Sequence, residues 1–96
     1  MNSKQRAYLR GLSNTMDSIF QVGKEGVNEN MIKSVSDALE ARELIKGTVL
    51  QNCPEDVREA AEELADGTGA AVVHCIGNRF VLYRAREKDP KIALPD

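Results

Sequence analysis

Tryptophan is absent from this chain of 96 residues, and its aromatic side chains are few: Tyr8, Phe20, Phe80 and Tyr83. So few rings exclude a platform on which successive bases of a single strand would stack. Cysteine occurs twice, at Cys53 and Cys75, too far apart for a paired metal motif. Histidine occurs once, at His74, with no Asp or Glu beside it, so it reads as a strand residue rather than a base or a ligand. No apolar run is long enough to cross a membrane, and Met1-Asn2-Ser3-Lys4 leads into none of the apolar sequence of a secretory leader. With two thiols, these absences make a reducing cytoplasm the expected location. No cofactor and no metal are expected, and a monomer is the expected state.

What is present is one domain's worth of chain with an uneven charge. Apolar residues make up 42% of it, enough for a modest core but not for a deep pocket. The net charge of −2 speaks against nucleic acid until it is divided along the sequence. Residues 1–24 carry Lys4, Arg6, Arg10 and Lys24 against Asp17, a balance of +3; residues 25–66 carry −7; residues 67–96 carry +2. A fold that gathers the two ends has a basic face and an acidic back.

The order of elements follows from periodicity and punctuation. Ser3 is a cap for a first helix, on which Tyr8, Leu9 and Leu12 share a side and Arg6 and Arg10 flank it, one turn apart. Lys4 lies on the other flank. Ile19–Val22 reads as a short strand. Asn28 caps a second helix running to Arg42, with Met31, Ile32, Val35, Ala38 and Leu39 as its apolar stripe. Leu44–Leu50 is a second strand, in which Gly47 marks a bulge or a close approach. Asn52-Cys53-Pro54 starts a third helix, with Pro54 at its first position, Glu55 and Asp56 in its first turn and Cys53 at the cap. Its inward residues are Val57, Ala60, Ala61, Leu64 and Ala65; Glu55, Glu59, Glu62, Glu63 and Asp66 form an outward acidic wall. Ala71–Ile76 and Phe80–Arg84, joined by the turn signal Gly77-Asn78, make a closing hairpin. The class is therefore α/β, in the order α-β-α-β-α-β-β, with a four-stranded mixed sheet. Residues 1–86 form the domain, and 87–96, which hold Pro90 and Pro95, are expected to be a flexible charged tail.

Between the first strand and the second helix lies Gly23-Lys24-Glu25-Gly26. Two glycines let the backbone turn sharply and take positive φ. A helix start beyond them offers unpaired N–H groups and a partial positive charge, and Lys24 at the tip is placed to meet a phosphate. A plain strand-to-helix turn with an exposed lysine would read the same way. The turn lacks the Gly-Lys-Ser/Thr ending of a nucleotide-binding ATPase loop, and no base and nucleophile come together elsewhere, so an enzyme is not expected.

Taken together, several blocks resemble the CRM domain family in its single-domain bacterial, YhbY-like form. They are Lys4-Gln5-Arg6 with Tyr8-Leu9-Arg10, then Val22-Gly23-Lys24-Glu25-Gly26-Val27, and then Ala38-Leu39-Glu40-Ala41-Arg42-Glu43-Leu44-Ile45-Lys46. Asn52 with Pro54-Glu55-Asp56, Thr68-Gly69-Ala70, Ile76-Gly77 and Val81-Leu82-Tyr83-Arg84 complete the set. The resemblance runs from about Ser3 to Arg86. It implies a fold similar to the C-terminal domain of translation initiation factor three, RNA binding, and association with precursors of the large ribosomal subunit. It maps the family's GxxG loop, similar to the phosphate-gripping loop of KH domains, onto Gly23, Lys24, Glu25 and Gly26. Glu25 departs from it by placing an acid inside the loop.

The expected function is a non-enzymatic RNA-binding assembly factor acting in ribosome biogenesis. Gly23, Lys24, Glu25 and Gly26 would approach the RNA, and Lys4, Arg6, Arg10, Arg84 and Arg86 would extend the track of phosphate contacts. Such contacts position a protein without reading sequence. The alternative is a protein-interaction module that docks basic ribosomal proteins on the acidic face of the third helix.

Overall fold

The computed structural model describes residues 1–95; Asp96, the last residue of the predicted tail, lies outside them. Seven elements follow in the predicted order: α1 (Ser3–Ser13), β1 (Phe20–Val22), α2 (Glu29–Arg42), β2 (Leu44–Val49), α3 (Val57–Thr68), β3 (Ala71–Ile76) and β4 (Arg79–Tyr83). The sheet order is β1-β2-β4-β3. β1 and β2 run parallel through the α2 crossover, while β4 pairs antiparallel with both β2 and β3. The closing strand therefore inserts between β2 and its own hairpin partner.

Alternation along the strands divides the core between the two faces. On one face Ile45, Phe80 and Leu82 bury against Val35 and Leu39 of α2 and Leu64 of α3. On the other, Leu44, Val81 and Tyr83 pack around Leu9 of α1. Both faces are covered in part, which is why β3 and β4 read as nearly continuous apolar runs. Gly47 is a close approach rather than a bulge: a Cβ there would overlap the buried ring of Phe80. The ladder irregularity lies instead in β3, where Val72 pairs with Leu82 and His74 with Val81, leaving Val73 as an extra residue.

Two helix starts lie off their predicted positions. Asn2, not Ser3, caps α1: its Oδ1 accepts the Gln5 N–H at 2.8 Å, and Gln5 Oε1 accepts the Asn2 N–H at 3.2 Å. Asp56, not Cys53, caps α3 through the same reciprocal pair with Glu59, at 2.8 and 3.2 Å. In both cases a side chain able to close a capping box displaces the weaker neighbour. Cys53 Sγ accepts the Glu55 N–H at 3.4 Å in the turn before the helix, and Pro54 stands outside it.

The tail, expected to be flexible, is tied back onto the domain. Glu43 caps the C-terminus of α2 with a positive φ of 66° and is wholly buried. Its carboxylate accepts the N–H groups of Arg86 (3.2 Å), Lys91 (2.6 Å) and Ile92 (3.0 Å). Burial pushes the Glu43 carboxyl up, but these three donors and the Arg86 charge outweigh it, and its pKa lies below the ordinary value. Ile92 and Leu94 pack beside Leu9, and Gln5 Nε2 donates to the Pro95 carbonyl at 3.0 Å.

Candidate nucleic-acid interface

The GxxG turn sits at the end of β1. Gly26 N–H donates to the Gly23 carbonyl at 2.9 Å, and Lys24 and Glu25 stand exposed at the tip. Only one of the two glycines is required by conformation. Gly26 has φ +68°, and a Cβ on it would come within 2.7 Å of Glu55 Oε1; a Cβ on Gly23 would meet nothing closer than 3.8 Å. The donors beyond the turn are partly taken. Val27 N–H is bound by Glu55 Oε1 at 3.1 Å, and Met31 N–H by the cap Asn28 at 2.9 Å. Glu55 thus leaves the predicted acidic wall to brace the turn, and its Oε2 is buried without a hydrogen-bond partner. The turn therefore offers the exposed Lys24 side chain rather than the open backbone cradle expected from the glycines.

Register extends the site across the sheet. Gln21 pairs with Thr48, Thr48 with Arg79, and Arg79 with Ile76, so these four form one row on the face that carries α1. Two residues further on, Lys46, Val81 and His74 form the next row on that face. α1 covers the lower part of the face, and its last turn stops beside these rows. The result is a cleft of about 430 Å³, lined by Arg10, Lys46, His74 and Arg79, with the buried Val81 at its floor and Ile76 at its rim. Among the described residues no carboxylate lines it. Lys46 Nζ donates to the Ser13 carbonyl at 3.3 Å, and neither Arg10 nor Arg79 makes an ion pair among the described residues. Burial, and then the charges of Arg10 and Lys46, hold the His74 pKa below its usual value, so the ring is neutral near pH 7.

The predicted cations divide. Arg6 and Arg10 are exposed and lie about 40° apart round α1, on one flank. Lys4 is exposed but about 120° round the helix from Arg10, off the cleft. Arg84 and Arg86 belong to the structure of the domain instead. Alternation in β4 sends Arg79, Val81 and Tyr83 to the α1 face and Arg84 to the other. There its guanidinium donates to Ser36 Oγ (2.9 Å), the Ser36 carbonyl (2.8 Å) and the Thr68 carbonyl (2.7 Å), and pairs with Glu40 at 3.6 Å. Arg86 is half-buried beside Glu43, with its Nε enclosed and unpartnered. Lys46, His74 and Arg79 were missed by sequence reasoning. The alternation of β2 and the position of Arg79 just past the hairpin turn were the available signals, but their use requires the strand order. Glu59, Glu62, Glu63 and Asp66 stand exposed on α3, on the face opposite α1.

Known proteins resemble the chain over nearly its whole length. The model of the CRS1/YhbY (CRM) domain matches residues 1–84. The chain is 50% identical to the probable RNA-binding protein YqeI of Bacillus subtilis over 95 residues, covering 99% of each chain. It is 33% identical to an RNA-binding protein of Haemophilus influenzae, covering 99% of this chain and 95% of that one. Among solved structures it is similar to the solution structure of the hypothetical protein SAV1595 from Staphylococcus aureus, with a TM-score of 0.82 at 48% identity and 99% coverage of each.

Proposed function

We propose, from the premise that the chain belongs to the CRS1/YhbY (CRM) domain family, that it is a non-enzymatic RNA-binding protein and that its RNA is ribosomal, engaged during assembly of the large subunit. Relatives named as RNA-binding proteins over the full length of this chain support the first part. The observation that carries the reading is the cationic strip. It runs from Arg79, in the Gln21–Thr48–Arg79 row, to Lys46 and Arg10, on the sheet face turned away from the α3 carboxylates, while Lys24 stands exposed beyond the end of β1.

The physics is that of a local field on a weakly acidic molecule. A phosphate backbone approaching the α1 face meets several cations and no carboxylate in the cleft, while the acidic helix repels it from the back. Neutralised phosphates release counterions, so affinity falls as salt rises. Contacts of this kind give register and orientation; discrimination rests on RNA shape and unpaired nucleotides.

Fluorescence anisotropy with fragments of large-subunit ribosomal RNA at several salt concentrations tests the surface. Lys24→Ala and Arg6→Ala should each weaken binding and flatten the salt dependence by about 0.7–0.9 in slope per lost contact. Affinity unchanged by both at moderate salt would show that the surface is wrong. Crosslinking in cells with sequencing of the bound RNA tests the target. Reads should concentrate in large-subunit ribosomal RNA, and reads spread over unrelated transcripts would overturn the ribosomal assignment.

A further inference from the structure

We propose that the cleft between the last turn of α1 and the open half of the sheet is a subsite for one unpaired nucleotide, its phosphate held among Arg10, Lys46 and Arg79 and its base laid against Ile76. This rests on the RNA-binding reading and deepens it. The cleft is polar on one side and apolar on the other, as a nucleotide is. Three cations converge on it from three elements: Arg10 from α1, Lys46 from β2 and Arg79 from β4. Ile76 is 63% exposed at its rim, a large apolar side chain on an edge strand left largely open by the described residues. A volume of about 430 Å³ is in the range of small-ligand sites, and a duplex does not fit inside it. With no Phe, Tyr or Trp in the lining, base contact falls to Ile76, the guanidinium planes and the His74 imidazole, so the site distinguishes unpaired from paired RNA without choosing among bases.

His74 makes the proposal readable. The charged groups facing it are Arg10 on α1, Lys46 on β2 and Arg79 on β4, all cations. Together with burial they disfavour the imidazolium when the cleft is empty. A phosphate among them reverses that field, so occupancy must draw a proton onto the ring, and binding must tighten as the pH falls from about 8 toward 6.

Because His74 is the single histidine, its ring resonances report on this cleft alone. They should be followed by NMR while uridine 5′-monophosphate, a short oligouridylate and a fully paired RNA duplex are added in turn. The mononucleotide and the single strand should shift the resonances and raise the ring's pKa; the duplex should leave both in place. Arg79→Gln should weaken the oligouridylate roughly tenfold, whereas Arg58→Ala, on the opposite face, should not. If the oligouridylate binds and Lys24→Ala weakens it, yet His74 stays unmoved and Arg79→Gln has no effect, the subsite is disproved and the RNA-binding reading stands. A duplex that moves His74 as far as the single strand also disproves it. If no RNA binds the protein, both fail.

Discussion

Glu55 Oε1 accepts the Val27 N–H at 3.1 Å across 28 positions of sequence, joining the turn before α3 to the turn before α2. An acid therefore sits under the loop that the family resemblance assigns to RNA. Glu55→Gln retains an acceptor for Val27 and removes the charge, so RNA affinity should rise roughly two- to threefold. Glu55→Ala removes the brace, and the Val27 amide should lose protection from hydrogen exchange. Unchanged affinity in the first variant and unchanged protection in the second would separate Glu55 from the loop.

The two glycines of the turn should respond unequally. Gly26→Ala meets both a left-handed backbone and the Glu55 carboxylate, and should destabilise the domain by about 1–3 kcal/mol. Gly23→Ala finds ordinary space and should stay within about 0.5 kcal/mol of the parent. Urea denaturation of both variants decides the point, and equal losses would contradict the geometry.

Arg84 and Lys24 should separate stability from binding. Arg84→Lys keeps the charge but loses the fork to Ser36 and Thr68, and should cost about 1–3 kcal/mol in urea denaturation while RNA affinity of the folded protein holds. Lys24→Ala should do the reverse. RNA affinity that falls with Arg84→Lys under conditions where the protein stays folded would return this arginine to the interface.

Glu43 gives the tail a pH dependence whose sign is fixed. Its pKa in the folded protein is below its ordinary value, so the stabilisation it supplies is present above the unfolded value of about 4.3 and is lost as pH falls through the folded one. Hydrogen exchange of Lys91 and Ile92 should therefore accelerate on acidification, and Glu43→Gln, which offers fewer acceptor sites, should expose the same amides at neutral pH. Protection that persists in Glu43→Gln would show that the tail is held by Ile92 and Leu94 alone.

Much of the fold was legible because its signals are local. The stripe Met31, Val35, Leu39 forms α2, and Gly77-Asn78 closes the hairpin as the residues suggest. The misplaced caps are also local: at both helices a polar side chain three residues before a Gln or Glu outcompeted the residue chosen. What was not legible depends on β4 entering the sheet between β2 and β3. Only that order aligns Lys46 with His74 and Thr48 with Arg79, and only it turns Arg84 toward Ser36. Glu43 was hidden for a related reason. Its partners lie in a segment whose composition reads as solvated, and nothing near it in sequence marks it as buried.

The additional residue in β3 decides what His74 can be. Counting by twos from Val72 would bring the imidazole opposite Phe80, beneath α2 and α3, where an ionisable ring has no partner. Val73 breaks that parity, so valine and histidine emerge on the same side and Cys75 takes the inner berth. Regular pairing of the same residues from Val72 would set Val73 opposite Val81 and Cys75 opposite Arg79, putting a thiol on the cleft side of the sheet in place of the imidazole.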